Sequence, residues 1–189
     1  MNYLAHAYLS NGNEGLLIGN FIADHLRGNK FGHLSEEIKK GIILHRQIDT
    51  FTDHHEAFKR SKRLFYNGFE KYSGILVDIY FDHFLASNFE QHSHKILSEF
   101  TEHVYAIYQK NKNVLPDNSN KFLDYVLQNN IYNAYSKIEG IEKVLFHLSH
   151  RINHSVLLNE SIPLFLENKT ELKQNFDVFI ADAKNEFLK

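Results

Sequence analysis

Pro116 and Pro163 are the only prolines in a chain of 189 residues, so away from those two points nothing in the backbone chemistry forbids a helix. The apolar residues use that freedom. Ile38, Ile42, His45, Ile48 and Phe51 recur at steps of three and four, the helical period. Ser35 before Glu36 and Glu37 reads as an N-cap with acids in the first turn. Asp53-His54-His55-Glu56 reads as a capping box that starts a new helix with Asp53 as its cap, and Asn67-Gly68 as its stop. The spacing predicts helices at about 2–10, 16–27, 35–52, 54–66, 74–91, 94–112, 119–130, 136–153 and 170–188. Asn11-Gly12-Asn13 fits a helix–helix turn, and strand-like alternation is nearly missing. The clearest loop, 111–120, divides two lobes but is too short to link domains. The expectation is one all-α domain over 1–189.

Composition removes whole classes of function. Without cysteine, disulfide scaffolds, thiolate zinc sites, iron–sulfur clusters and cysteine nucleophiles are excluded. A net charge of −2 gives no reason to expect a nucleic-acid partner. No apolar run approaches the roughly 20 residues of a membrane helix, and Met1–Ser10 lacks the pattern of a secretory signal. A cytoplasmic protein with neither a membrane nor a nucleic-acid partner is expected.

What remains informative is polarity inside apolar segments. The helix at 74–91 is apolar in nearly every direction, yet it carries Asp78, Asp82 and His83. Asp78 and Asp82 are four apart, where like charges repel, and an unpaired buried carboxylate costs several kcal/mol, roughly. A divalent cation would remove that cost; Arg or Lys from a neighbouring helix is the alternative. His45 and Asp49 converge on one helix face as two ligands of a single ion would. Asp53 lies a further turn on and is equally an ordinary N-cap. His6 sits within Tyr3–Leu9, and Asp24 follows an apolar run and precedes Arg27-Gly28, where a surface ion pair is the plainer reading. His25, His33, His54, His55, His92, His94 and His103 read as exposed or capping positions. His147, His150 and His154 step along one helix but lack carboxylates to complete an oxygen-rich site. Oxygen donors with one or two imidazoles suit manganese, magnesium or iron, ions that activate water and neutralise phosphoryl charge. No phosphate-binding loop, dinucleotide fingerprint or nucleophile elbow is present. The residues alone point to a helical, metal-dependent hydrolase of a phosphoester.

At these residues the chain resembles the acyl carrier protein phosphodiesterase family. The matching pieces are Met1-Asn2-Tyr3-Leu4-Ala5-His6, then Gly19-Asn20 with Ala23-Asp24 and Arg27-Gly28. Gly41 with His45-Arg46, Ile48-Asp49 and Thr52-Asp53 follows, and then Asp78 with Asp82-His83-Phe84-Leu85. These motifs cover 1–89; the later residues match only in length and helical character. Phe81 stands where family members are expected to carry tryptophan, a difference of packing rather than chemistry. The resemblance implies a helical bundle related to HD-type metal phosphohydrolases. It implies a manganese-dependent enzyme, with Mg2+ or Fe2+ as other candidates, that removes 4′-phosphopantetheine from holo-acyl carrier protein. Carried over by position, Asp24, His45, Asp49 and Asp82 become metal ligands. His6 and His83 complete the shell or move protons, and Arg27 and Arg46 clamp the phosphodiester. Because acyl carrier proteins are acidic, the basic run Lys59, Arg60, Lys62 and Arg63 is the expected docking face, with a plain solvated helix face as its alternative. Two other readings stay open: a metal phosphohydrolase of a nucleotide or other small phosphoester, and a non-enzymatic helical binding module whose acids are salt-bridged.

Overall fold

A computed structural model describes residues 2–26, 31–32, 34–152 and 156–188. Among them there is no strand. The helices are α1 (Tyr3–Leu9), α2 (Glu14–Ile22), α3 (Glu36–His54), α4 (Glu56–Arg63), α5 (Tyr66–Phe69) and α6 (Ser73–Ser87). They continue as α7 (Leu97–Lys110), α8 (Asp117–Gln128), α9 (Ile131–Ala134), α10 (Ile138–Arg151), α11 (Ile162–Glu167) and α12 (Lys169–Phe187). The all-α expectation holds, with boundaries close to those read from periodicity. The short α9 and α11 leave little periodic signal, and α5 is broken inside by the non-helical backbone of Asn67 and Gly68, the stop read from the sequence.

The prolines stand where helices begin. α8 starts directly after Pro116 and Pro163 lies in the first turn of α11, positions whose missing N–H has no intrahelical partner to lose. Ser35 caps α3 as expected, accepting from the Ile38 N–H at 3.4 Å. The turn between α1 and α2 runs through Asn11 and Gly12 at positive φ before Asn13 caps α2. One cap moves. α3 continues through Asp53 to His54, and His55, not Asp53, caps α4 by accepting from the Ala57 N–H at 3.2 Å. An imidazole two residues later does the work that the sequence pattern gave to the acid.

α6 runs through the centre and touches α1, α4, α10 and α12. Leu76, Val77, Ile79, Phe81 and Leu85 are fully buried along it, each stabilising the fold by roughly 1.5–3 kcal/mol. Phe81 packs on Phe58, Phe176 and Phe179, so α12 closes over this position from the far end of the sequence. α2 and α3 make the tightest pairing. A Cβ on Gly19 would overlap the Ile38 carbonyl, and one on Gly41 the Leu16 carbonyl; only glycine permits this backbone approach. It decides how near the side chains of Asn20 and Asp24 come to those of His45 and Asp49.

Candidate functional site

His6 from α1, Asp24 from the turn after α2, and His45 and Asp49 from α3 meet in one cluster. His45 Nε2 lies 3.1 Å from Asp24 Oδ1 and 3.1 Å from Asp49 Oδ2. His6 Nε2 lies 3.2 Å from Asp49 Oδ1, while its buried Nδ1 has no hydrogen-bond partner. The two imidazoles stack with centroids 4.2 Å apart. Donor atoms of His6, His45 and Asp49 all fall within 4.8 Å of one another, a spacing that one cation can bridge. A buried imidazole held against a carboxylate that is shared with a second imidazole fits a metal's requirements.

The second wall of the site comes from Asn20, which the sequence reading gave no role. Its Oδ1 sits 2.9 Å from His45 Nδ1, while its Nδ2 donates to the His6 carbonyl at 3.0 Å and to Ser10 Oγ at 3.1 Å. With Nδ1–H donating to Asn20, the other ring nitrogen, Nε2, faces the carboxylates and becomes a ligand atom once its proton is lost. A buried amide inside the apolar run of 16–23 was the signal for it.

Electrostatics separate the two histidines. Burial pulls His6 down to about 4. Burial also disfavours a charged His45, but hydrogen bonds to Asp24 and Asp49 outweigh it and raise the ring to about 9. Burial pushes the Asp24 and Asp49 carboxyls up, yet their contacts with His45, and for Asp49 also with His6, hold both below the usual range.

The cluster opens on a cleft of about 970 Å³, in the size range of small-molecule sites. α3 and α6 line it with Thr52, Asp53, Ile75 and Asp78, and α8 and α10 with Lys121, Phe122, Leu148 and Arg151. Asp53, displaced from its expected cap, therefore faces the cleft.

The model of the family described as acyl carrier protein phosphodiesterase matches residues 1–183. The chain belongs to the acyl carrier protein phosphodiesterase family. An acyl carrier protein phosphodiesterase of Photorhabdus laumondii is 38% identical over 91 residues, 48% of this chain and 46% of that protein. One of Salmonella agona is 30% identical over 155 residues, 80% of this chain and 79% of that protein. One of Pectobacterium atrosepticum is 40% identical over 91 residues, 48% of this chain and 47% of that protein. The chain is thus matched to about half the length of two of these relatives and to most of the third. No solved structure matches the chain. Membership makes it an enzyme by family, a phosphoric diester hydrolase named for its action on acyl carrier protein. The family match also runs well past the motifs of 1–89 into the helices that form the far wall of the cleft.

Several expected site residues lie elsewhere. Asp82 is fully buried and turned to the start of α1, where Oδ2 accepts from the Leu4 N–H at 2.8 Å and Oδ1 from the Ala5 N–H at 3.2 Å. With Asn2 Oδ1 accepting from the Tyr3 N–H at 2.8 Å, the first three amides of α1 are satisfied. Asp82 is a long-range cap for the helix that carries His6, and not a member of the cluster; burial raises it to about 7. Asp78 lines the cleft, whereas the Asp82 carboxylate is taken up by the α1 amides. His83 does not join the cluster either. Its Nδ1 pairs with the Tyr135 carbonyl at 2.8 Å, and it lines a separate groove with Lys169 and Lys173. Arg46 is exposed and lies over the Phe31 ring at 5.4 Å; it is not among the cleft residues. Arg27 lies outside the described residues, as do Gly28, His33 and His154. The stripe His147, His150 and His154 gathers no cluster among the described residues: His147 lines the cleft while His150 packs on Phe146. His25, expected at the surface, lines the cleft beside Phe122. The basic run lies on α4, where Lys59 pairs with Glu56, Arg60 donates to Asn175 and Lys62 lies over Phe58. None of those four lines the cleft. No helix among the described residues is long and apolar enough to cross a membrane.

Proposed function

We propose that the cleft lined by Asp24, His45 and Asp49 is where this chain removes 4′-phosphopantetheine from holo-acyl carrier protein, with a divalent metal held by those residues and by His6 behind them. The observation that carries this reading is the convergence of His6 and His45 on Asp49, with Asp24 on the same His45 nitrogen. Imidazole and carboxylate donors without sulfur suit manganese first, then magnesium or iron. When bound, such an ion activates water and offsets the charge of a phosphoryl oxygen.

The residues do the rest. Asn20 holds His45 in the tautomer that points Nε2 at the site. His6, with its acidity set near 4 by burial, is neutral at physiological pH, so it offers a lone pair rather than a proton and acts as a ligand. The stacked rings and buried walls exclude bulk water from one side of the cluster. Hydrolysis adds water across the P–O bond to the carrier's serine, phosphorus keeping the pantetheine and the serine oxygen leaving with a proton. Incubating the chain with holo-acyl carrier protein and Mn2+ and weighing the carrier tests this. Loss of the phosphopantetheine mass is expected, and an unchanged mass refutes the reading.

A further inference from the structure

The cluster side of the cleft is lined by Asp24, Asp49, Asp53 and Asp78, a poor surface for a phosphodiester anion. Recognition of its oxygens has to come from the other wall. The strongly basic residues lining that wall are Lys121 of α8 and Arg151 of α10, both exposed, and among the described residues neither forms a salt bridge. They are not scattered. Phe122 and Tyr125 follow Lys121 on one face of α8, and Val144, Leu148 and Arg151 step by four and three along α10, so each cation ends an apolar stripe that faces the cavity. Arg151 lies with its Cζ 5.8 Å from the Phe122 ring centroid. Phe122 in turn packs on Tyr3 at 4.5 Å, which lines the cleft together with Asp24. The guanidinium is thus two rings from the cluster.

We propose that Lys121 and Arg151 form the anion-binding wall of the cleft and hold the non-bridging oxygens of the substrate's phosphodiester. The inference rests on reading the cleft as the phosphodiesterase site, and it gives the second half of the chain a direct part in substrate binding. Arginine offers a planar fork to two phosphate oxygens and lysine a point charge. A cleft face that ends its apolar stripes in two cations, with no salt bridge to either among the described residues, serves a negatively charged ligand better than it serves stability.

The test uses the full chain, with a synthetic seryl-phosphopantetheine diester titrated calorimetrically in EDTA so that no turnover intrudes. Arg151→Gln and Lys121→Gln should each weaken its binding by about tenfold, the scale of one charge-assisted hydrogen bond, and Arg151→Lys should recover part of the loss. Mn2+ affinity and the melting temperature should stay at the wild-type values, since both side chains are exposed. Wild-type affinity for the diester in both Gln variants overturns the proposal, whether or not the wild-type chain hydrolyses holo-acyl carrier protein. A parallel loss of Mn2+ binding or of stability overturns it too, because the effect would then be structural. Weakened binding of the diester together with no hydrolysis of holo-acyl carrier protein by wild-type chain and Mn2+ leaves the anion wall standing and removes the phosphodiesterase reading alone.

Discussion

Replacing Asp82 separates a capping carboxylate from a metal ligand. Asp82→Ala strands the Leu4 and Ala5 N–H groups, which bond to its two oxygens at 2.8 and 3.2 Å inside the core. Each orphaned buried donor costs roughly 1–3 kcal/mol, so a loss of about 2–5 kcal/mol is expected. Asp82→Asn keeps one acceptor and should cost about 1–2 kcal/mol at pH 5, near the range for lost caps. The pH dependence has a definite sign. Burial raises the folded carboxyl to about 7 from the usual 3.8, so between those values the native state binds more protons than the unfolded one. Wild-type stability therefore falls as pH climbs from about 4 to about 7, by roughly 4 kcal/mol from this group. Asparagine carries no such burden, so the deficit of Asp82→Asn should shrink as pH rises. Urea unfolding of metal-free protein, followed by far-UV circular dichroism, measures all of this. With a slope of a few kcal/mol per molar urea, Asp82→Ala should unfold about 1 M earlier than wild type at pH 5, where the folded carboxyl still holds its proton. Unchanged midpoints in metal-free protein, combined with lost Mn2+ binding, would refute the cap and restore Asp82 as a ligand.

Other expectations concern the cluster and its surroundings. Because His45 must lose its proton to bind a metal and stands at about 9 without one, Mn2+ affinity measured by calorimetry should rise about tenfold per pH unit from 6 to 8; a flat profile would remove His45 from the ligand set. Asn20→Leu, which unpins His45 Nδ1, should weaken Mn2+ by roughly 10- to 100-fold with the helical content kept, and an unchanged affinity would deny it a positioning role. Gly41→Ala forces a methyl into the Leu16 carbonyl and should cost about 1–3 kcal/mol in thermal or urea unfolding. Lys59→Glu with Arg63→Glu should raise KM for holo-acyl carrier protein several-fold and leave a small generic phosphodiester untouched; equal effects on both substrates, or none, retire α4 as the docking face.

The difference between what was legible and what was not follows the range of the interactions. Helical period and the N-cap at Ser35 are local, so they could be read directly, as could the i, i+4 pair of His45 and Asp49. Asp24 and His6 stand out as polarity inside apolar runs, but only α2 lying on α3 and α1 packing against α2 bring them to His45. Asp82 shows the limit of the same reasoning. The sequence marks a buried carboxylate there, and the pattern points to a cation as its partner because nothing local can supply one. The partner was a pair of backbone amides, Leu4 and Ala5, seventy-odd residues away in sequence, and amides leave no mark in the side-chain pattern. The family match reached the same residues by descent without saying which of them touch a metal.

The glycines join the two kinds of information. Gly19 and Gly41 carried part of the resemblance yet had no chemistry to offer. In the fold they are the contact at which α2 and α3 meet backbone to backbone, and Asn20 and Asp24 follow Gly19 just as His45 and Asp49 follow Gly41. A wider helix pair would pull Asp24 away from His45 Nε2 and Asn20 away from Nδ1 together, since α2 or the turn directly after it carries both. The tautomer, the charge of His45 and the shape of the donor set thus depend on one interhelical distance. That dependence predicts a test of its own. If Gly41→Ala is combined with Asn20→Leu, the losses in Mn2+ affinity should be less than additive, because each substitution alone already releases the same ring. Full additivity would mean that the glycine contact serves packing and leaves the site alone.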